Sequence, residues 1–305
     1  MLQNSTIKDY LMLHFIVVIW GFTAILGLLI SLPALELVFY RTLLAAVGVG
    51  LVMVWRKKNM LVSPAELIKI AGVGVLISLH WIFFFWSAKV STASVCLAGM
   101  ATTSLWTAFV DPIINRTKIK WYEVALGLFV ISGLVVIFQF ESGYWLGLSF
   151  ALLSAFLSAL FSVFNAKLTL SHTPYQITLY EMAAASLFAL FFMPVYSEFL
   201  NDGAPIQWEW KGMDWVWMLV LSGICTVYAF SASVELMKRV SVFTINLTIN
   251  LEPVYGILLA VLVFGEKEKM TTQFYVGTLI ILISVLIYPV LNYWNKRRKA
   301  INVIN

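Results

Sequence analysis

The chain has 305 residues, of which 61% are hydrophobic and only 11% are charged. Soluble globular chains carry about 25% charged residues, so this composition excludes a soluble domain and predicts a protein with many membrane spans. Cys96 and Cys225 are the two cysteines, and both lie inside apolar segments. Their positions argue against a disulfide framework and for inert, buried thiols.

Ten apolar segments are long enough to cross a bilayer, which needs about 20 residues per helix. They cover residues 11–30, 35–55, 66–87, 91–110, 121–138, 145–165, 175–196, 214–236, 242–264 and 272–293. The first segment is too long for a signal-peptide core and no small-residue cleavage site follows it, so we expect it to be retained. The remaining loops are too short to hold a separate soluble domain.

Basic residues are distributed unevenly between the two sides of these ten spans. If the N-terminus is inside, the inner segments hold fifteen lysines and arginines, including the cluster Lys296–Lys299, and the outer segments hold four. An excess of this kind marks the cytoplasmic side of a membrane protein. The pattern predicts cytoplasmic termini and explains the net positive charge without nucleic acid as a partner.

The two halves of the chain repeat each other. A shift of 150 positions places Val90-Ser91 on Val240-Ser241 and Gly127 on Gly277, and a shift of 140 places Tyr40-Arg41 on Tyr180-Glu181. Because each half holds five spans, an odd number, the second copy must run through the membrane upside down. We therefore expect an all-α membrane protein in which residues 1–140 and 141–305 form two inverted five-helix repeats, an arrangement typical of secondary transporters.

Short motifs support this interpretation. Trp20-Gly21, Pro33 with Tyr40-Arg41, Leu251-Glu252-Pro253-Val254 and Gly265-Glu266 together resemble the EamA-type, ten-helix branch of the drug/metabolite transporter superfamily. The resemblance implies a central cavity lined largely by the first, third, fourth, sixth, eighth and ninth spans, which makes Trp20 a candidate. Where the second repeat has Glu252-Pro253, the first has Thr102-Thr103, so Thr102 is the corresponding candidate and the repeats do not offer a symmetric acidic pair.

Glu252 is the strongest candidate site residue. A carboxylate in the middle of a span costs a few kcal/mol and usually faces a bundle interior or a wet cavity. Residues at four-residue spacing share a helix face, and the polar ones here are Thr244, Thr248 and Glu252, with Asn246 and Asn250 beside them. Pro253 interrupts backbone hydrogen bonding next to the acid. The pattern predicts that Glu252 meets a substrate amine or carries a coupling proton.

Arg41 lies six residues into the second span, about 9 Å below its outer end. It is either a packing residue paired with Glu36 or Glu252, or an anchor for a substrate carboxylate or phosphate. Glu181, its counterpart in the second repeat, is either a gate residue or a packing partner. Glu235, near the inner end of the eighth span, is a further gate candidate, although interfacial water would explain it equally.

Other candidates come from the third and sixth spans. His80 is mid-span, as a hydrogen-bonded packing residue or a proton relay, and no neighbouring ligand spacing indicates a metal site. Trp81 and Phe85 share a face, to stack on a substrate or to form a membrane belt. The stripe that includes Ser158 allows close helix packing or lines a cavity. Trp208 and Trp210, in the longest outer loop, are a membrane anchor or a lid over the outer mouth.

These features favour a secondary transporter, with export of amino acids or related zwitterions as the leading function. A flippase for lipid-linked or amphipathic compounds is the alternative, and a channel is a weaker one because a single chain carries its own inverted repeat. No intramembrane catalytic set and no nucleotide-binding loop is found, so we predict neither an enzyme nor a cofactor. The expected setting is a bacterial inner membrane, with a small-molecule substrate, a possible proton and a monomer or weak dimer.

Overall fold

A computed structural model of the chain describes residues 5–138, 142–200, 204–265 and 271–284, together with residues 287 and 291. The described residues form helices and no strands, which confirms the all-α prediction. Parts of several predictions lie outside them: the repeat boundary at residues 140 and 141, Glu266, the end of the tenth span and the basic cluster Lys296–Lys299.

Fourteen helices are seen within these ranges. They are α1 (Ile7–Gly21), α2 (Thr23–Leu29), α3 (Ala34–Trp55), α4 (Pro64–Val90), α5 (Ala93–Met100), α6 (Thr103–Asn115), α7 (Trp121–Phe138), α8 (Trp145–Leu168), α9 (Pro174–Leu200), α10 (Asp214–Ser222), α11 (Ala229–Leu236), α12 (Val242–Ile249), α13 (Glu252–Phe264) and α14 (Thr272–Ser284). A π-helical segment, Gly223–Tyr228, joins α10 to α11.

Seven helical stretches within the described residues, counted across short breaks at Phe22 and at residues 101–102, are long and apolar enough to cross a bilayer. They are Ile7–Leu29, Ala34–Trp55, Pro64–Val90, Ala93–Asn115, Trp145–Leu168, Pro174–Glu198 and Asp214–Leu236, which match the first four predicted spans and the sixth to eighth. The fifth predicted span coincides with α7, the ninth is divided between α12 and α13, and the tenth is followed to the end of α14. The chain is therefore a membrane protein, while the count of ten spans stays a prediction.

The fourth and ninth spans are broken at corresponding places. Helix α5 ends at Met100 and α6 begins at Thr103, whereas α12 ends at Ile249 and α13 begins at Glu252. With the 150-residue shift between repeats, the two breaks fall within one residue of each other. The broken spans pack against one another, α5 on α13 and α6 on α12.

Side-chain hydrogen bonds join the two broken spans. The side-chain amide of Asn246 donates to the hydroxyl of Thr107 at 2.8 Å, and that of Asn250 donates to the hydroxyl of Ser104 at 2.8 Å. All four side chains are buried. Buried polar groups need such partners, so these bonds fix the register between the two spans.

The repeats also meet elsewhere. Helix α4 packs most extensively against α8, and α3 against α9, and both contacts join the first half of the chain to the second. Helices α7 and α14 approach so closely that a Cβ added to Gly133 would lie 2.7 Å from the carbonyl oxygen of Gly277. Only a residue without a side chain allows that approach at Gly133.

One end of the bundle, here called the N-terminal end, holds the start of α1 and the loops 56–63, 116–120, 169–173 and 237–241. An ion pair of 2.8 Å between Arg239 and Asp9 and a hydrogen bond of 3.2 Å between His172 and Glu66 connect these segments. The opposite end holds the loops 30–33, 91–92 and 204–213. There Lys89 donates to the carbonyl of Ile30 at 3.1 Å.

Basic residues are concentrated at the N-terminal end. Within the described residues this end carries Lys8, Arg56, Lys57, Lys58, Lys69, Arg116, Lys118, Lys120, Lys167, Lys238 and Arg239. The opposite end of the same part of the chain carries Lys89 and Lys211. The three-dimensional arrangement therefore preserves the charge asymmetry of the sequence.

Candidate functional site

A narrow cavity of about 60 Å³ lies at the centre of the bundle. Helices α1, α2, α3, α4, α5, α8, α11, α12 and α13 contribute to its wall. Both repeats therefore line it, and the second span contributes through one side chain, Arg41. The volume of the cavity holds a few water molecules, so the conformation described here is narrower than ligand pockets of about 300–1,000 Å³.

Within the described parts of the chain, the guanidinium group of Arg41 makes two contacts and has one nitrogen without a partner. Its Nε donates to the hydroxyl of Thr226 at 2.9 Å, and its guanidinium carbon lies 3.8 Å from the ring centroid of Trp81. Its Nη1 is buried and has no partner among the described residues. A buried guanidinium nitrogen without a partner is costly, so this nitrogen is available to an acceptor that enters the cavity.

The π-helical segment provides two of the contacts that hold cavity side chains. The hydroxyl of Thr226 donates to the carbonyl of Leu221, five residues earlier, and the indole of Trp20 donates to the carbonyl of Cys225 at 3.0 Å. Wide helical turns of this kind leave backbone groups available and are frequent at functional sites. Here the segment positions Arg41 from the second span and Trp20 from the first.

Glu252 is the first residue of α13 and lines the same cavity. Its side chain is 6% exposed, and the described residues include no hydrogen-bond or ion-pair partner for it. A helix N-terminus favours a negative charge because its N–H groups are unpaired. Glu252 and Arg41 thus face one cavity with opposite charges and form no ion pair.

His80 is bound to the sixth span. Its Nδ1 lies 2.9 Å from the carbonyl oxygen and 2.8 Å from the hydroxyl of Ser154, and that hydroxyl donates to the backbone carbonyl of His80. A bond to the carbonyl needs a proton on Nδ1, which in a neutral imidazole leaves Nε2 as an acceptor. His80 therefore packs through one nitrogen while its ring lines the cavity.

Aromatic rings form the apolar wall. Trp81 meets Phe230 edge-on at a centroid distance of 5.9 Å, and Phe161 lies 6.2 Å from Phe230. Phe85 does not line the cavity. It is fully buried behind Arg41, at 5.6 Å from the guanidinium carbon, and it packs against Gly27.

The serine stripe on α8 has both of the roles considered from the sequence. Ser154 binds His80, while Ser158 and Ser162 line the cavity. Ser162 also donates to the amide oxygen of Asn246 at 3.3 Å. One face of α8 therefore combines close packing with a polar cavity wall.

The remaining candidates on the broken spans lie beside the cavity. Asn246 lines it, whereas Asn250 is turned to Ser104. Thr248 donates to the carbonyl of Thr244, and Thr102 donates to that of Gly99. These two hydroxyls satisfy backbone carbonyls at or near the helix breaks.

The two predicted gate residues are also outside the cavity. Glu235 pairs with Lys238 at 3.0 Å and with Arg239 at 3.1 Å at the N-terminal end. Arg239 follows α11, and its hydrogen bonds to Asp9 and Glu235 raise the pKa of its guanidinium above the usual value. Glu181 lies on α9, fully buried, behind the cavity wall.

The loop 204–213 covers the opposite end of the bundle. Its backbone N–H at Gln207 donates to Glu36 at 3.1 Å, its Trp208 carbonyl accepts from the hydroxyl of Tyr40, and the Trp210 ring meets Tyr40 edge-on at 5.0 Å. These contacts fix the loop on the beginning of α3. Trp208 and Trp210 therefore pack on protein at this end.

Asp214 closes the same end from its position at the start of α10. Its carboxylate accepts from the backbone N–H of Ser31 at 2.9 Å, from the Ser31 hydroxyl, and from the backbone N–H of Lys211 at 2.9 Å. The α10 end of the eighth span is thereby bound to the loop between the first and second spans.

Several lining residues were not anticipated from the sequence. They are Thr23, Phe84, Met100, Phe161, Phe230, Ser233, Val234, Met237, Ile245 and Ile249. Ser162, in contrast, belongs to the serine stripe for which the sequence had suggested a cavity wall as one of two roles. Thr226, which positions Arg41, had no signal in the sequence, since an isolated threonine in an apolar span has no distinguishing pattern.

Comparisons with known proteins agree with this architecture. The model of the EamA-like transporter family matches residues 8–139 and 145–288. One solved crystal structure is similar with a TM-score of 0.70 and 17% identity, covering 94% of this chain and 98% of that chain. At that identity the likeness concerns the fold. No curated protein sequence is similar to the chain.

Proposed function

Because the chain belongs to the EamA-like transporter family, and is thus a membrane transporter of the drug/metabolite transporter superfamily, we propose that it exports small zwitterionic metabolites. Amino acids are the leading class. The chain works as a secondary transporter by alternating access, as a monomer or weak dimer in a bacterial inner membrane. Nothing in the described site suggests a reaction on the substrate, and the protein acts by binding and release.

The observation that carries this proposal is that Arg41, whose Nη1 has no partner among the residues described, and Glu252 line one cavity without forming an ion pair with each other. The free Nη1 of Arg41 donates to a substrate carboxylate, and the carboxylate of Glu252 accepts from a substrate ammonium group. A molecule with both groups would satisfy both residues at once, whereas a molecule with one group leaves a buried charge unpaired, which is strongly unfavourable. The aromatic wall around Trp81 and Phe230 fits the apolar part of such a substrate.

The arrangement of the two ends indicates from which side the cavity is loaded in this conformation. The cavity extends to Met237, which follows α11 at the N-terminal end, while the loop 204–213 covers the opposite end. The N-terminal end is rich in basic residues, as cytoplasmic surfaces are. We therefore place both termini in the cytoplasm and assign substrate loading to the cytoplasmic side.

Transport follows from rocking of the two repeats around the cavity. The breaks in the fourth and ninth spans divide each of them into two short helices that can change their mutual angle. Glu252 lies at one of these breaks, so a substrate that binds its carboxylate acts directly on the angle between α12 and α13. A substrate shifts the equilibrium only by as much as it binds the two conformations differently.

The test is uptake of labelled amino acids into liposomes that contain the purified protein. Each active amino acid is compared with its N-acetyl derivative, which lacks the ammonium group, and with its amide, which lacks the carboxylate. Glu252→Gln is expected to abolish the preference for the free amine, and Arg41→Gln the preference for the free carboxylate. Glu209→Gln, an exposed acid of the outer loop, is the matched control.

Loss of a single hydrogen-bonded charge partner at a buried site is expected to weaken binding about 30-fold or more, which corresponds to about 2 kcal/mol or more. If a folded protein moves none of these compounds, the zwitterion proposal is wrong. Transfer of a lipid-linked amphiphile under the same conditions would then identify the aromatic wall as the binding surface of a flippase.

A further inference from the structure

A second buried acid lies behind the cavity wall. Glu181 on α9 is 0% exposed, and its closest polar neighbour is Asn165 on α8, also 0% exposed. The amide nitrogen of Asn165 lies 3.5 Å from Oε2 of Glu181, at the long limit of a hydrogen bond. Glu181 Oε1 and Asn165 Oδ1 have no partner within the described part of the chain.

These atoms form an electrostatically incomplete group. Two acceptor oxygens are buried without a donor, and an ionised carboxylate here would have one weak hydrogen bond and no cation. Such a charge is too costly to keep in the interior of a membrane protein, unlike a charge on Glu252, which shares its cavity with the guanidinium group of Arg41. A proton on Glu181 removes the charge and supplies the missing donor, and rotating the Asn165 amide by 180° then makes its oxygen the acceptor.

Charged groups on the helices packed against Glu181 are engaged elsewhere. Helices α3, α4 and α11 pack on α9, and α8 carries Asn165. Their charged or titratable side chains are Glu36, Tyr40 and Arg41 on α3, Glu66, Lys69, His80 and Lys89 on α4, Lys167 on α8 and Glu235 on α11. Each contacts another group: a backbone N–H or carbonyl, a hydroxyl, or an ion-pair partner.

The Glu181 group is linked to the cavity along two helices. On α8, Asn165 follows the cavity residue Ser162 by three positions, about one turn. On α9, Thr178 precedes Glu181 by three positions and accepts a hydrogen bond of 3.3 Å from Ser231, which neighbours the cavity residue Phe230. Glu181 and Asn165 therefore lie about one helical turn away from residues that line or adjoin the cavity.

The internal repeat relates Glu181 to Arg41. Arg41 and Glu181 are counterparts in the two halves, and in this conformation Arg41 faces the cavity while Glu181 is enclosed. Inverted repeats exchange their conformations during alternating access. The exchange brings Glu181 into an environment like that of Arg41, next to the cavity, where it can take up a proton from water.

We infer that Glu181, with Asn165, is a proton-binding site that couples transport to the pH gradient. Glu181 takes up a proton from water on the side opposite the N-terminal end after the repeats have rocked, and holds it as a neutral acid in the conformation described here. The proton leaves as a hydrated proton on the cytoplasmic side when substrate binds at the cavity, so that one proton enters for each substrate exported. No other bond forms or breaks. The protonation itself is independent of the substrate, whereas the coupling rests on the proposed transport function.

Infrared spectroscopy of the purified protein in lipid tests the protonation directly. The carbonyl stretch of a neutral buried carboxyl is expected in the wild type at neutral pH, to persist in Glu252→Gln, and to be lost or reduced in Glu181→Gln. If the spectrum of Glu181→Gln equals that of the wild type, Glu181 is ionised and the inference is wrong. Labelling of the wild type with an apolar carbodiimide, read from the mass of the Glu181 peptide, gives the same answer if the variant does not fold.

Transport by the same variants tests the coupling. One proton coupled to a gradient of one pH unit sustains about tenfold accumulation of substrate. Glu181→Gln, which mimics the neutral acid, is expected to lose this accumulation while exchanging labelled for unlabelled substrate at equal pH, and Glu209→Gln is expected to retain both.

The remaining outcomes are separable. If the wild type does not exchange labelled for unlabelled substrate, the proposed transport function is wrong, while the infrared result on Glu181 remains valid. Retention of pH-driven accumulation by Glu181→Gln contradicts the coupling. Accumulation driven by sodium at equal pH, and abolished in Glu181→Gln, identifies the bound cation as Na⁺ and overturns the assignment of a proton.

Discussion

The guanidinium carbon of Arg41 lies 3.8 Å above the ring centroid of Trp81. This stacking joins the second span to the third and leaves Nη1 of the arginine free at the cavity. Cation–π contacts contribute about 2 kcal/mol when both partners are desolvated. The ring therefore helps to keep a charged side chain in a place where its remaining donor is unsatisfied.

Replacing the ring tests that role. Trp81→Leu is expected to weaken substrate binding about tenfold or more, because the guanidinium group of Arg41 is no longer fixed by stacking on the ring. Trp81→Phe, which keeps a ring face, is expected to recover most of the affinity. Isothermal calorimetry with the transported amino acid measures both. Equal affinities in Trp81→Leu and the wild type would contradict a role of the ring in binding.

Thr226 is expected to position Arg41 through its hydroxyl. Thr226→Val keeps the shape but removes the acceptor for Arg41 Nε and the donor to the Leu221 carbonyl, so the apparent KM for a carboxylate substrate rises about tenfold, as expected for one buried hydrogen bond to a charged group. Thr226→Ser restores the bond and serves as the control. The same rise in KM with an amide substrate would mean that Thr226 acts on general packing instead.

Gly133 and Gly72 give a matched pair for testing the contact between α7 and α14. A Cβ at Gly133 would lie 2.7 Å from the Gly277 carbonyl oxygen, whereas a Cβ at Gly72 would meet nothing within 4 Å. Gly133→Ala is expected to destabilise the protein by about 1–3 kcal/mol through overpacking, and Gly72→Ala to be neutral or slightly stabilising. Thermal unfolding in detergent compares them, and equal melting temperatures would refute the close approach.

Asp214 is expected to hold the end opposite the N-terminus closed. Asp214→Ala removes the acceptor of three hydrogen bonds from Ser31 and Lys211 and shifts the population toward a conformation open at that end. Cys225 is 1% exposed and lies in the segment that binds Trp20. The rate at which an impermeant thiol reagent, added from the end opposite the N-terminus, labels Cys225 therefore measures the opening of that end.

The labelling of Cys225 is expected to be about tenfold faster in Asp214→Ala than in the wild type, for a shift of about 1.4 kcal/mol. Glu209→Ala, which removes an exposed acid of the same region, is the control. Unchanged labelling in both variants would assign closure to the aromatic contacts of Trp208 and Trp210 instead.

The sequence was sufficient to find residues whose chemistry conflicts with their surroundings. Glu252 and Arg41 are charged residues in apolar spans, and the cost of burying a charge in a bilayer makes such residues conspicuous in the sequence itself. The break at Glu252 was indicated by Pro253, which removes a backbone donor. The all-helical fold followed from the same apolar segments.

Other features depend on contacts that no local pattern records. The break before Thr103 has no proline to signal it. Thr226 matters because it meets Arg41, which is 185 positions away, and because the helix widens there into a π turn. Phe85 shares a face with Trp81, yet close packing against Gly27 directs it away from the cavity.

The paired breaks in the fourth and ninth spans have a consequence for how the molecule responds to substitution. The two repeats run in opposite directions and bend at corresponding residues. In the proposed alternating-access mechanism, the conformation of one half is therefore the conformation that the other half adopts next. A change that straightens the break at Thr102 and the same change at Glu252 act on opposite sides of one balance. The first is expected to favour one open face of the transporter, the second the other, and the two together to leave the molecule near its original preference.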